Sequence, residues 1–122
     1  MSEQDDFAYR SAHEIAAGIR SRQFSPVEVL DACAARVEAR NGGLNALVFT
    51  AFDEARERAR VAERAVVAGE ELGPLHGVPT AIKDLFDFKP GWPATFGGIP
   101  ALRESPFPSG ACGPSGWRRP VP

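Results

Sequence analysis

Cysteine is scarce in this chain of 122 residues, which contains only Cys33 and Cys112. Two cysteines this far apart predict neither a disulfide framework nor a metal site, and Cys33 fits a small core position on a helix face. No apolar run approaches the ~20 residues that a membrane-spanning helix needs, and the acidic residues 1–6 lack the apolar core of a secretory signal. These absences predict a cytoplasmic protein with no metal site and no membrane partner.

An excess of charge of either sign is also missing. The net charge is −2, and basic residues alternate with acidic ones along the chain. This distribution argues against a nucleic-acid partner, which usually requires a continuous basic surface. The glycines form no phosphate-binding loop either, because no Gly-x-Gly-x-x-Gly opens a helix. We therefore predict no cofactor.

Two helix starts are marked clearly in the first third of the chain. Ser11 with Glu14, and Ser25 with Glu28, each have the spacing of a capping box, and the second is reinforced by a proline directly after the serine. The first pattern predicts a short helix over residues 12–21. The second predicts a helix that ends at Asn41-Gly42-Gly43, because glycine readily adopts the left-handed cap conformation.

A β-prone run at residues 44–50 and a long helix at residues 51–68 are predicted next, with Gly69 ending the helix. One face of this helix is apolar and rich in alanine, at spacings of three and four residues, and predicts close packing against a neighbour. Its members are Phe52, Ala55, Ala59, Ala62 and Val66. The remaining faces are charged and predict a solvated surface with ion pairs.

The segment that carries chemistry is residues 73–84. A turn at residues 73–77 leads into an apolar run at residues 78–82, which predicts a strand, and this run ends on Lys83 and Asp84. A lysine drawn into a protein interior loses water, which favours its neutral amine, and a neutral amine is a base that can activate a nucleophile. Lys83 is therefore the candidate catalytic residue, and the alternative interpretation is a solvated lysine at the strand end that pairs with Asp84.

The pattern Gly-Pro-Leu-x-Gly-x-Pro-x-x-x-Lys-Asp at residues 73–84, followed by Thr95-Phe96-Gly97-Gly98, resembles the amidase signature family. The resemblance implies an α/β fold, a mixed sheet wrapped by helices. Residues 1–104 would be the N-terminal part of that domain, mostly helical with one or two short strands. It also implies cleavage of, or transfer at, carboxamide C–N bonds by a Ser–cis-Ser–Lys triad, with Lys83 as its lysine.

Small-molecule amides are the substrates that the resemblance implies, and the other subunits of an amidotransferase would be partners if the chain is of that subfamily. The resemblance implies that both triad serines follow well downstream in a Gly-Gly-Ser-rich nucleophile segment, and no Gly-Gly-Ser occurs in this sequence. We therefore expect a truncated chain that is inactive alone, and we assign no substrate-binding residue. Two alternatives stay open: a small helical interaction module that docks through the alanine-rich face, and a fragment complemented by a partner chain that carries the serines.

The composition changes at residues 105–122, which are rich in proline, glycine and serine and contain no acidic residue. This segment predicts an irregular tail. When it is read in the frame that starts at each codon's third base, its end permits Arg-Leu-Ala-Ala-Ala-Gly-Ala, which is similar to the helix that usually follows in the family. The hidden match favours a frameshift or gene-model error after about residue 104.

Three positions near the lysine have simpler interpretations. Asp84 is predicted to organise the loop or a helix start rather than to transfer protons, and His76 is predicted to be structural because it lies in a turn. Gly98 stands where the family usually has serine, so this loop lacks the hydroxyl that the family usually has at that position.

Overall fold

The computed structural model describes residues 7–85 and 89–103 of the chain. The predicted irregular tail, the domain end at residue 104 and Cys112 lie outside these residues. The chain divides into two units, Met1–Pro79 and Thr80–Pro122. No helix among the described residues combines the length and the apolar character needed to cross a membrane.

Three α-helices build the first unit. They are α1 (Ala12–Arg20), α2 (Pro26–Leu44) and α3 (Phe52–Ala68), preceded by a short 3₁₀ helix at Phe7–Tyr9. Across residues 7–85 and 89–103 there is no β-strand. The predictions of strands at residues 44–50 and 78–82 are therefore wrong.

Both predicted capping boxes are confirmed. The Ser11 side chain accepts a hydrogen bond from the Glu14 N–H at 3.2 Å, and the Glu14 carboxylate accepts from the Ser11 N–H at 2.7 Å. Ser25 and Glu28 repeat the arrangement at the start of α2, with distances of 3.1 and 2.7 Å. Because each pair satisfies two backbone groups that a helix start would otherwise leave unpaired, both helices begin where the sequence predicts.

Helix α2 continues past the glycine pair at which its end was predicted. Its last residue is Leu44, and the left-handed cap falls on Asn45, with φ of 48° and ψ of 39°. The Asn41 side chain donates to the Leu47 carbonyl at 2.8 Å and accepts from the Leu47 N–H at 2.9 Å. This pair of hydrogen bonds holds the backbone at Leu47 against the last turn of α2.

Helix α3 packs against α2 through its alanine-rich face, on which Ala59 and Val66 are buried. Gly69 ends α3 in the left-handed conformation, with φ of 73°, as predicted. Arg56 Nη2 lies 2.9 Å from Asp31 Oδ1 of α2, and its Nε donates to the same oxygen at 3.0 Å. This ion pair joins α2 to α3 beside the buried face.

The core of the first unit lies where α1, α2 and α3 meet. Ile19 and Val29 are its most deeply buried large side chains, at 1% and 0% exposure. Cys33 packs against this core while remaining partly exposed, which agrees with its predicted role as a small packing residue. The other buried members are Ile15 and Val66, and the other partly buried neighbours are Phe7, Phe24, Leu72 and Val78.

In the second unit, regular structure within the described residues is limited to the 3₁₀ helix at Pro100–Leu102. A strand needs a neighbouring strand to accept and donate its backbone hydrogen bonds. Residues 80–82 of the predicted strand have no such neighbour among the described residues. Turns and side-chain hydrogen bonds therefore organise this part of the chain.

Candidate active site

The turn at residues 73–79 precedes the candidate lysine and is closed by local hydrogen bonds. The His76 N–H donates to the Gly73 carbonyl at 3.2 Å, and the Val78 N–H donates to the Leu75 carbonyl at 3.2 Å. Gly77 lies between them with φ of 78°. A Cβ at this position would lie 2.9 Å from Pro26 Cγ, so both the backbone conformation and the available space require glycine.

Side chains tie this turn to the helices of the first unit. Nε2 of His76 lies 2.9 Å from the Ala62 carbonyl oxygen of α3, and Arg20 of α1 donates to the Gly73 carbonyl at 3.1 Å. His76 is half-buried and holds a backbone group of a neighbouring helix. This contact agrees with the structural role predicted for His76.

Lys83 lies in the second unit in backbone that is neither helix nor strand, and its side chain is exposed. Its carbonyl accepts a hydrogen bond from the Leu85 N–H at 2.9 Å, so the chain turns tightly directly after the lysine. The sequence allowed two interpretations of Lys83 at the end of a strand: a lysine drawn into an interior, or a solvated lysine. Within the described residues, the strand is absent and the side chain is open to solvent.

Asp84 is bonded to Thr95, which lies further along the same unit. Its Oδ1 accepts from the Thr95 N–H at 2.7 Å, and its Oδ2 accepts from the Thr95 hydroxyl. Both side chains are half-buried. The prediction that Asp84 organises the loop is confirmed, while sequence reasoning missed that Thr95 is its partner.

The turn that begins at Thr95 contains three consecutive residues with positive φ: Phe96 at 52°, Gly97 at 79° and Gly98 at 109°. The Gly98 N–H donates to the Thr95 hydroxyl oxygen at 2.9 Å, and the Ile99 N–H donates to the Thr95 carbonyl at 2.8 Å. A side chain at Gly98 would be strained at its φ. Glycine in place of the family's usual serine therefore suits the backbone that this chain adopts.

Arg22 is a second residue that sequence reasoning missed. It has φ of 59° and donates to the Val66 carbonyl near the end of α3 at 3.0 Å. The Val66 carbonyl also accepts from the Gly69 N–H at 3.3 Å, so Arg22 is a second donor at the end of α3, where carbonyls lack their usual helical partners. Among the described residues, no group of three or more His, Cys, Asp and Glu side chains could hold a metal ion.

Comparisons with known proteins agree on one family. The family model described as Amidase matches residues 28–110. The chain is 43% identical over 97 residues to an acylamidase of Rhodococcus erythropolis, covering 80% of this chain and 20% of that protein. It is 43% identical over 101 residues to an indoleacetamide hydrolase of Bradyrhizobium diazoefficiens, covering 83% and 19%.

A third relative belongs to the glutamyl-tRNA(Gln) amidotransferase of Acidothermus cellulolyticus. The two chains are 40% identical over 92 residues, which cover 75% of this chain and 18% of that one. Among solved structures, the chain resembles a bacterial aryl acylamidase that belongs to the amidase signature enzymes, with a TM-score of 0.80 and 48% identity. The match covers 84% of this chain and 21% of that structure. The chain thus spans about a fifth of the length of the relatives that it matches.

Proposed function

Since this chain belongs to the amidase signature family, we propose that it supplies the lysine of a Ser–cis-Ser–Lys triad that acts at carboxamide C–N bonds, with Lys83 as the general base. The observation that carries the proposal is the motif at residues 73–84, which lies inside the matched region and ends on Lys83 and Asp84. Family membership also confirms the predicted fold class, an α/β enzyme fold to which this chain contributes mainly helices.

In the proposed reaction, the neutral amine of Lys83 accepts a proton from a bridging serine. That serine takes the proton of the nucleophilic serine, whose oxygen forms a bond to the amide carbon. When the C–N bond breaks, the proton passes to the leaving amine, and backbone N–H groups near the nucleophile stabilise the oxyanion. Water or an acceptor amine then releases the acyl group, which gives hydrolysis or amide transfer.

The proposal places both serines on polypeptide outside the 122 residues, since these contain no Gly-Gly-Ser sequence of the kind that the family resemblance implies for the nucleophile segment. The side chain of Lys83 is exposed in this chain. We propose that the same additional polypeptide buries it in the assembled protein. Burial would favour the neutral amine that a base requires. On this proposal the 122-residue chain is inactive by itself, and a small-molecule amide is the substrate of the assembled protein.

The alternative of a helical interaction module has less support. Its docking surface would be the alanine-rich face of α3, but this face packs against α2 within the first unit, where Ala59 and Val66 are buried. A fragment that is complemented by a serine-bearing partner uses the same lysine as the triad proposal. The likeness to the Acidothermus cellulolyticus amidotransferase also allows other amidotransferase subunits to be partners of the assembled protein.

A chimera tests the role of Lys83. Residues 7–103 of this chain would replace the matching N-terminal segment of the Rhodococcus erythropolis acylamidase, and turnover of an amide that the parent enzyme cleaves would be measured. We expect Lys83→Ala to lower kcat by about 100-fold or more, because a general base contributes at least that factor. The far-UV circular dichroism spectrum should stay unchanged.

Lys89→Ala is the matched control, because Lys89 is the only other lysine of the chain. Its amine lies 4.2 Å from the centre of the Trp92 ring, in a contact that has no part in the proposed chemistry. Turnover of this control should stay close to that of the chimera. Equal kcat values in the Lys83→Ala and Lys89→Ala chimeras would remove the assignment of Lys83 as the base.

A further inference from the structure

We propose that Asp84 is a positioning residue for Lys83, acting through a clasp formed by the side chains of Asp84 and Thr95. The clasp fixes the backbone from which the proposed base projects. The inference rests on the proposed function for its catalytic meaning, whereas the clasp itself is a property of the second unit and can be tested without catalysis.

The clasp uses both oxygens of one carboxylate. Oδ1 of Asp84 accepts from the Thr95 N–H at 2.7 Å, and Oδ2 accepts from the Thr95 hydroxyl. Because both donors belong to one residue, the plane and the position of the carboxylate are fixed together. Hydrogen bonds to a charged acceptor are stronger than those between neutral groups, and half-burial of both side chains limits competition from water.

The donors and acceptors around the Thr95 hydroxyl determine the direction of its hydrogen bonds. The Gly98 N–H, 2.9 Å from the Thr95 hydroxyl oxygen, can only donate. The hydroxyl therefore accepts from Gly98 and directs its own proton to Asp84, whose ionised carboxylate can only accept. A chain of bonds thus runs from Gly98 through Thr95 to Asp84, and each bond polarises and strengthens the next.

The clasp restricts the backbone of Lys83 because Asp84 is the next residue in the chain. Consecutive Cα atoms are about 3.8 Å apart, so fixing Asp84 leaves the lysine backbone little freedom. The Leu85 N–H bonds to the Lys83 carbonyl at 2.9 Å and closes the turn on the other side. Since residues 81–85 lie in neither a helix nor a strand, the clasp supplies the restraint that regular structure would otherwise give.

Amide hydrogen exchange of the 122-residue chain, measured by NMR, tests the clasp. Thr95→Val removes the hydroxyl and keeps the shape of the side chain, so the Gly98 N–H loses its acceptor. We expect several-fold faster exchange at Gly98, and also at Leu85, which reports on the Lys83 carbonyl. Thr95→Ser retains the hydroxyl and should restore both rates.

Thr80→Val is the matched control for the loss of a hydroxyl, since Thr80 is exposed and occupies a variable position of the motif. Exchange at Gly98 and Leu85 should stay at the unaltered rates in this variant. Unchanged exchange at Leu85 in Thr95→Val would overturn the positioning role, and so would exchange at Gly98 that is as fast in the unaltered chain as in the variant.

The catalytic consequence is measured in the chimera with the acylamidase. Because small displacements of a catalytic group cost about 100-fold in rate, Thr95→Val and Asp84→Asn should lower kcat by roughly that factor and leave KM nearly unchanged. Thr95→Ser should restore kcat. A kcat that depends on Lys83 but not on Asp84 or Thr95 would refute the positioning role.

The two proposals fail in different ways. If exchange at Gly98 and Leu85 responds to Thr95→Val while turnover is independent of Lys83, the clasp stands and the proposed function is wrong. If turnover depends on Lys83 while exchange at Leu85 does not respond, the proposed function stands and the clasp does not position the lysine.

Discussion

At Gly77, both the backbone conformation and the available space exclude any residue with a side chain. Its φ of 78° lies in the left-handed region, and an added Cβ would approach Pro26 Cγ at 2.9 Å and Ile19 Cδ1 at 3.0 Å. Ile19 is almost fully buried and cannot move aside freely. The turn before the candidate lysine can therefore pack onto α1 and α2 only through a glycine.

We predict that Gly77→Ala lowers the free energy of unfolding by about 2–4 kcal/mol, from left-handed backbone strain together with overpacking of the core. Urea denaturation followed by circular dichroism would measure the change. Gly42→Ala is the control, because Gly42 lies in α2 with no atom within 4 Å of an added Cβ. This control should stabilise by about 0.5–1 kcal/mol. Equal effects of the two substitutions would contradict the packing argument.

For Lys83, the sequence predicts the identity of a site residue but not its surroundings. The motif around it identifies the family and singles out the residue, because residue identity and spacing are properties of the chain. Its exposure is not such a property. Burial of a side chain depends on which segments cover it, and the sequence of the motif contains no information about those segments.

At the scale of elements, the start of α1 depends on an ionised group. The pKa of Glu14 is lowered from its ordinary value of 4.5, first by the hydrogen bond from the Ser11 hydroxyl, then by that from the Ser11 N–H, and less by the charge of Arg10. A carboxyl whose pKa is lower in the folded state stabilises that state above the unfolded pKa. The contribution is lost as pH falls through the folded pKa.

We therefore predict that Glu14→Gln lowers stability at pH 7, and that the difference from the unaltered chain shrinks as pH falls below about 4.5. Thermal melts of both proteins across this pH range would measure the effect. Ser11→Ala removes the first cause of the lowered pKa and should reduce the same pH dependence. A stability difference that stays constant between pH 7 and pH 3 would contradict the prediction.

The elements also separate what was predictable from what was not. Helix starts depend on hydrogen bonds between residues three positions apart, such as Ser25 and Glu28, so they can be predicted from the sequence. The end of α2 was misplaced because the helix continues through both glycines to Leu44, and the left-handed cap falls on Asn45, whose N–H donates to the Asn41 carbonyl. The strand at residues 78–82 was wrong because strands require partners, and apolar composition alone does not supply them.

At the scale of the whole molecule, we predict that the purified 122-residue chain hydrolyses neither aliphatic nor aromatic amides. A lysine alone offers a base without a positioned nucleophile or oxyanion donors, and losing a single such donor already costs about 100-fold. A sensitive assay of the ammonia or amine released from each amide would check this. The chimera with the acylamidase serves as the positive control. Lys83-dependent turnover by the isolated chain would show that the proposed division of the triad is wrong.

By itself, the sequence determined the family, the candidate lysine and the starts of helices α1 and α2. All of these depend on residue identity and short spacing, as in the motif at residues 73–84. The tertiary structure decided the partners of those residues. Asp84 meets Thr95 eleven positions away, and His76 meets Ala62 at fourteen. Such pairs form only when the path of the chain brings them together, because a hydrogen bond acts over about 3 Å and has no sequence signature at that separation.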